Sequence, residues 1–146
     1  MRVGLVMSSA AALTLAMAIL YNAGSVGALA TGRGTAGNPA LLAADVQKGE
    51  GLFQAKCSIC HSVQQGGPYK MGPNLHGLFG RQTGSLPGYN YSPAMRAAGI
   101  VWNAATLDTY LTDPHKDIPQ DKMPFAGLPD KADRDDIISY LEQATQ

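Results

Sequence analysis

The feature that most constrains the fold is the pentapeptide Cys57-Ser58-Ile59-Cys60-His61. The pattern C-x-x-C-H is the attachment signature of a c-type haem. Each thiol can form a thioether bond with one haem vinyl group, and His61 is then held beneath the iron, where a neutral imidazole can be the proximal ligand. A chain with this motif is expected to wrap a large flat cofactor that serves as part of its core.

Two other interpretations of the cysteine pair stay open at this point. A Cys-x-x-Cys pair also occurs in thioredoxin-like dithiols, but that motif belongs to a βαβ context, and no such pattern is found here. Structural zinc usually takes four Cys or His ligands. The chain has two cysteines in all, and its other histidines, His76 and His115, are isolated. The pattern therefore favours haem over a dithiol or a zinc site.

The N-terminal region predicts export. Residues 3–21 form a mostly apolar run, and residues 28–30 read Ala-Leu-Ala, a typical cleavage site. Residues 1–30 are therefore predicted to be a secretory signal peptide. Because the run approaches the roughly 20 residues that span a bilayer, an uncleaved N-terminal membrane anchor is the alternative. Both predictions place the rest of the chain in the periplasm.

Composition separates a linker from a globular domain. Residues 31–44 are rich in glycine and nearly uncharged, which predicts a linker, and residues 45–146 are predicted to form a single domain. The chain has 11 basic and 11 acidic residues. It therefore has no basic excess, and we expect no nucleic-acid partner.

Helical patterns and loop signals alternate through residues 45–146. Four residues are typical N-caps and predict where helices begin. Asp45 precedes a first helix that runs into the haem motif, and Ser92 precedes a short second helix. Asn103 precedes a third helix, and Asp130 precedes the last one. Gly49 lies on the apolar stripe of the first helix, which indicates close approach by another helix, supplied by the C-terminal segment. No strand pattern is convincing. The predicted fold class is all-α, with three main helices, short helices and long loops.

Residues 45–146 resemble class I cytochrome c of the mitochondrial and alphaproteobacterial type, either soluble or membrane-anchored. Beyond the haem motif, the matching segments are residues 72–81 (Gly-Pro-Asn-Leu-His-Gly-Leu-Phe-Gly-Arg), 87–91 (Pro-Gly-Tyr-x-Tyr), 99–102 (Gly-Ile-Val-Trp), 106–111 (Thr-Leu-x-x-Tyr-Leu), 118–119 (Ile-Pro) and 122–127 (Lys-Met-x-Phe-Ala-Gly). A run of this order and length is far more specific than the pentapeptide. The resemblance implies the cytochrome c fold, wrapped around one covalently bound haem c.

The resemblance also implies roles for individual residues. Met123 is the implied distal axial ligand, with Met71 and Met95 as competing methionines. Pro73 is implied to accept, through its carbonyl, a hydrogen bond from the second nitrogen of His61. The other implied haem-binding residues are Tyr91 and Trp102 as donors to a buried propionate, Arg81 as the cation beside it, and Tyr110 with its hydroxyl near the methionine sulfur. We expect His76 in a loop hydrogen bond and His115 at the surface.

Three departures from the family pattern bear on function. Met95 stands where eukaryotic members often have an asparagine, and Asp121 where many members have a threonine. A buried Asp121 could loosen the loop that carries Met123, whereas an exposed one would be only a surface charge. The third departure is the balanced charge, which predicts docking that depends weakly on salt. A local basic patch is expected from Lys56, Lys70, Lys116 and Lys122.

The resemblance implies a one-electron carrier rather than an enzyme, because both axial positions of the iron would be filled. The expected partners are a membrane quinol-oxidising cytochrome complex or a dehydrogenase, and a terminal oxidase or other acceptor. Such partners dock transiently through small interfaces, and we expect a monomer. Two alternatives stay open: a haem enzyme or gas-sensing cytochrome with an open sixth position, and a fixed electron-transfer subunit of a larger complex.

Overall fold

The computed structural model describes residues 44–146, and this part of the chain is all-α, as predicted. Its helices are α1 (Val46–Lys56), α2 (Pro93–Ala97), α3 (Ala104–Thr112), α4 (Pro114–Asp117) and α5 (Lys131–Ala144). Within the same residues, β-type pairing is limited to an isolated bridge between Gln82 and Val101. No helix of residues 44–146 is long and apolar enough to cross a membrane. The predictions for residues 1–30, and for the linker up to residue 43, lie outside the described residues.

The helices begin at the caps that the sequence predicts. The Asp45 carboxylate accepts hydrogen bonds from the first backbone N–H groups of α1, and Asp130 does the same for α5. Asn103 and Thr106 form a reciprocal capping box at the start of α3. A cap of this kind contributes about 1 kcal/mol to helix stability. The helix starts therefore follow from local side-chain chemistry.

The haem motif lies just beyond the end of α1. The helix ends at Lys56, and Cys57 is its C-cap. The N–H groups of Cys60 and His61 both donate to the Cys57 carbonyl, at 3.0 and 2.9 Å. The motif is therefore one further turn that follows the helix, which places both thiols and the imidazole within five residues of a rigid element.

Helices α1 and α5 pack closely, as the position of Gly49 predicts. A Cβ at Gly49 would lie 2.0 Å from the backbone oxygen of Asp136, so only glycine permits this approach. One turn further along, the rings of Phe53 and Tyr140 lie 5.4 Å apart. Ile137 is fully buried in the same contact region of α5. The two helices bring the start of the haem motif against the core.

Side-chain to backbone hydrogen bonds organise the long loops. The Asn74 amide donates to the carbonyls of Gln64 and Gly67, at 2.9 and 2.8 Å, and its oxygen accepts from the His76 N–H. Arg134 of α5 is buried and donates to the backbone carbonyls of Leu128 and Pro129, in the loop before α5, at 2.7 and 2.9 Å. These bonds satisfy buried polar groups that the loops would otherwise leave unpaired.

Candidate haem-binding site

A large cleft opens between the three main helices and the loops. It encloses about 1260 Å³ of empty space, part of it open to solvent, and apolar side chains make up most of its wall. Protein interiors rarely leave voids larger than a water molecule, so a cleft of this size suits a large apolar group. Every residue predicted for the site lines it: Cys57, Cys60, His61, Pro73, Arg81, Tyr91, Trp102, Tyr110 and Met123.

The two cysteines are free thiols in the wall of the cleft, with no disulfide between them. Burial raises the pKa of Cys57 to about 11; Lys56 opposes this shift and Cys60 adds to it. Redox-active dithiols depend on a lowered thiol pKa. The environment of Cys57 therefore suits a thioether attachment point better than a dithiol catalyst.

The His61 ring is held by its neighbours in the loop. Its Nδ1 lies 2.8 Å from the Pro73 carbonyl oxygen. Because a carbonyl can only accept, we assign the proton to Nδ1, which leaves the Nε2 lone pair free for a metal. Burial lowers the pKa of His61. The hydrogen bond with Pro73 partly offsets this lowering, and the positive charge of Lys70 adds to it. The neutral imidazole that metal binding requires is therefore favoured.

Gly72 also limits the position of the His61 ring, although sequence reasoning gave it no role in the site. A Cβ at this position would lie 2.3 Å from Cε1 of His61 and 2.8 Å from its Nε2. The backbone of Gly72 therefore packs directly on the imidazole. The sequence feature that could have indicated this role is the position of Gly72 immediately before Pro73 in the segment that matches the family.

Three methionines line the cleft, namely Met71, Met95 and Met123. Met71 is 68% exposed, whereas Met95 and Met123 are partly buried and pack against the core. The sulfur of Met123 lies 4.0 Å from the Tyr110 hydroxyl. The structure therefore places these two residues together, as the resemblance implies.

Arg81, Tyr91 and Trp102 bring polar hydrogens to the cleft. The Arg81 guanidinium donates to the carbonyls of His76 and Asn74, at 2.9 and 3.2 Å. The backbone carbonyl of Arg81 accepts a hydrogen bond from the backbone N–H of Trp102, which holds the two residues side by side. Burial raises the pKa of Tyr91, against the influence of Arg81, so its hydroxyl stays protonated. A cation beside a phenol and an indole suits a bound carboxylate.

Tyr89 is a cleft residue that sequence reasoning missed. Its ring lines the cleft and lies 4.7 Å from the ring of Tyr91, at 71° to it. Its hydroxyl donates to the Met71 carbonyl at 2.5 Å, which ties two loops together. The only sequence signal was its inclusion in the Pro-Gly-Tyr segment.

The structure shows that Asp121 is buried, a point that the sequence left open. Its Oδ2 accepts the Tyr110 hydroxyl at 2.5 Å, and its Oδ1 lies 3.0 Å from Nδ1 of His115. His115 lies at the surface, as predicted, and its exposed ring also reaches this buried carboxylate. At His76 the loop hydrogen bonds are made by the backbone N–H and carbonyl.

An all-α domain with a haem-sized cleft and C-x-x-C-H in its wall defines a c-type cytochrome. The family profile described as Cytochrome c matches residues 46–145. The chain belongs to the cytochrome c family. It is an electron carrier that holds one covalent haem c through the motif of Cys57 and Cys60, so the predicted family, fold, cofactor and electron-carrier function are confirmed.

Individual relatives agree with this assignment. The chain is 49% identical to a cytochrome c of Stellaria longipes over 102 residues, which cover 70% of this chain and 94% of that protein. It is 49% identical to a cytochrome c of Gibberella zeae over 102 residues, covering 70% and 96%. It is 48% identical to a cytochrome c of Arabidopsis thaliana over 105 residues, covering 72% and 94%.

Proposed function

We propose that the domain carries single electrons from a quinol-oxidising cytochrome complex or dehydrogenase to a terminal oxidase or other acceptor, with His61 and Met123 as axial ligands. The observation that carries this proposal is that an imidazole with a free Nε2 and a thioether line one cleft beside the two attachment thiols. A bound haem supplies one-electron chemistry, and histidine–methionine ligation favours a high potential. With both axial positions filled no substrate position remains, and we infer no enzymatic activity.

The remaining predicted residues support the cofactor in this proposal. Pro73 fixes the orientation and basicity of His61 through its carbonyl. Arg81, Tyr91 and Trp102 would hold a haem propionate, since a carboxylate taken out of water needs a cation and hydrogen-bond donors. Tyr110 packs beside the Met123 sulfur. Each residue acts by binding or orienting, and none transfers a proton to a substrate.

Alanine substitutions at the cleft methionines test the ligation. We expect Met123→Ala to lose the weak far-red sulfur-to-iron absorption band and to gain carbon monoxide binding. Met95→Ala is the matched control, because Met95 is also partly buried and also lines the cleft. It should keep the band and exclude carbon monoxide. Loss of the band in Met95→Ala but not in Met123→Ala would contradict the assignment.

We also propose that redox partners dock at the mouth of the cleft. Lys56 and Lys122 contribute to the cleft wall, and Ile59 and Met71 expose 77% and 68% of their surface. Exposed apolar side chains with a few cations around them suit a small, transient interface. Such docking needs no second copy of the chain, and we expect a monomer.

We further propose that residues 1–30 direct the domain to the periplasm, as a cleaved signal peptide or as a retained anchor. The family match begins at residue 46, so this proposal depends on the apolar run and the Ala-Leu-Ala site. Intact-mass measurement on periplasmic and membrane fractions tests it. A periplasmic protein without residues 1–30 indicates cleavage, and a full-length membrane protein indicates an anchor. A full-length cytoplasmic protein without haem would contradict export.

A further inference from the structure

Asp121 is a buried carboxylate for which the proposed electron-transfer site has no use. Its side chain is 0% exposed, and its Oδ2 accepts the Tyr110 hydroxyl at 2.5 Å. Its Oδ1 faces Nδ1 of His115 at 3.0 Å without an aligned hydrogen bond, and finds no other partner among the described residues. No lysine or arginine of residues 44–146 forms an ion pair with it. A buried carboxylate with so little compensation is costly, so packing alone does not account for it.

The backbone directs Asp121 inward. Gln120, immediately before it, has a φ of 68° and is the one non-glycine residue with positive φ in the described part of the chain. The Asp121 N–H donates to the carbonyl of buried Ile118 at 3.1 Å, which closes the turn. A left-handed conformation at a residue other than glycine is unfavourable. The turn thus maintains a strained backbone that aims Asp121 at Tyr110, two residues before Met123.

Tyr110 has one proton, and the geometry assigns it to Asp121. The hydroxyl lies 2.5 Å from the carboxylate oxygen but 4.0 Å from the Met123 sulfur. A carboxylate accepts strongly and a thioether weakly, and charge-assisted O–H···O bonds are short. The contact of the Tyr110 hydroxyl with the Met123 sulfur is therefore the longer and weaker of its two hydrogen bonds.

We propose that Asp121 is a positioning residue that lowers the reduction potential, by drawing the Tyr110 proton away from the Met123 sulfur. The inference rests on the proposed ligation by Met123. A sulfur that accepts only a weak hydrogen bond would donate more strongly to the metal, which favours the oxidised iron.

The test is Asp121→Asn in the haem-loaded protein. The amide keeps the shape of the side chain and can donate to the Tyr110 oxygen, which frees the phenol proton for Met123. We expect the ferrous-to-ferric ratio at a fixed ambient potential to rise roughly tenfold, equivalent to ~59 mV in midpoint potential for one electron. Potentiometric titration at one pH, followed by absorption, measures this shift and shows whether the sulfur-to-iron band is retained.

Asp136→Asn is the matched control. Asp136 is also buried, but it lies in α5 and pairs with Lys48 rather than with the site. Its substitution is expected to lower stability and to leave the potential unchanged. Asp121→Thr is a second variant, in which a hydroxyl replaces the carboxylate as a weaker acceptor for Tyr110, and we expect it to raise the potential as well.

Each outcome decides the question. An unchanged potential in Asp121→Asn, with the band retained, contradicts the proposal. Loss of the band in both Asp121 variants would mean that Asp121 holds the Met123 loop together, and this result also overturns it. If the native protein itself lacks the band, the ligation by Met123 is wrong and the inference fails with it. The spectrum of the native protein therefore distinguishes the two failures.

Discussion

Gly72 shows how a residue without a side chain can decide the orientation of His61, the proposed iron ligand. The carbonyl oxygen of the next residue, Pro73, lies within hydrogen-bond distance of Nδ1 of His61, at 2.8 Å. A Cβ at Gly72 would lie 2.3 Å from Cε1 of the same ring. No side-chain carbon approaches another atom so closely, so either the imidazole or the turn would have to move. The ring orientation thus depends on Gly72 as directly as on Pro73.

We predict that Gly72→Ala destabilises the haem-loaded protein by roughly 1–3 kcal/mol, the usual cost of an overpacked site. Denaturant unfolding followed through the haem absorption band measures this change. Gly51→Ala is the control, because a Cβ there meets nothing within 4 Å. A Gly72→Ala protein as stable as the native one would show that the turn relaxes without cost.

Sequence reasoning predicted residues that line the cleft, because each of them stands in a segment that matches the family. It could not decide whether Asp121 is buried. That property depends on where Tyr110 of α3 packs against the loop before Met123, which is a tertiary contact. The same contact brings His115 to the carboxylate. Residue identity and spacing were therefore predictable, whereas the hydrogen bond that Tyr110 makes was not.

Two glycines of α1 differ in what surrounds them. At Gly49 an added Cβ would meet the Asp136 backbone oxygen at 2.0 Å, whereas at Gly51 it meets nothing within 4 Å. We predict that Gly49→Ala forces α1 and α5 apart and costs about 1–3 kcal/mol in the free energy of unfolding. Gly51→Ala should stabilise the protein by about 0.5–1 kcal/mol through helix propensity. Similar free energies for both variants would contradict the close packing.

The α1–α5 contact also predicts acid sensitivity. Burial raises the pKa of Asp136, but hydrogen bonds from Lys48 and the Asp45 backbone outweigh burial and hold the pKa below its ordinary 3.8. A lowered pKa stabilises the fold above the ordinary value, and this contribution is lost as the pH falls through the folded-state value.

Denaturant unfolding at a series of pH values measures this contribution. The native protein should lose stability on acidification more steeply than Asp136→Asn, and the two should converge at the lowest pH. Parallel pH profiles would show that the ion pair with Lys48 contributes nothing. Lys48→Met should remove the lowering of the pKa and flatten the profile in the same way.

Local chemistry explains which elements were predictable. Asp45, Asn103 and Asp130 cap their helices through side-chain bonds to nearby N–H groups, so the helix starts follow from sequence. The loop after the haem motif has no such periodicity. Its order depends on the Asn74 amide, which reaches back to Gln64, and this contact exists only once the loop has closed.

For the whole molecule, the charge balance predicts docking that depends weakly on salt. The chain has 11 basic and 11 acidic residues, and apolar Met71 is exposed at the cleft. Between about 0.01 and 0.15 M ionic strength the Debye length falls from ~30 to ~8 Å. We expect the association rate with a purified terminal oxidase to fall by less than about tenfold, since strong steering is absent. A steeper fall in stopped-flow measurements would contradict this.

A pair of variants tests the apolar part of the same surface. Met71→Ser should slow the reaction with the oxidase, because it removes exposed apolar area at the mouth of the cleft. Val101→Ser is the control, since Val101 is also an exposed apolar residue but does not line the cleft. Equal rates for both variants would place the docking surface elsewhere.

The proposed function depends on His61 and Met123 filling both axial positions of the iron. The absorption spectrum of the native protein, ferric and ferrous, with and without carbon monoxide, tests it most directly. We predict a low-spin c-type spectrum with the weak far-red sulfur-to-iron band, unchanged by carbon monoxide. A high-spin spectrum or ready carbon monoxide binding would show an open sixth position, and would indicate a haem enzyme or gas sensor instead.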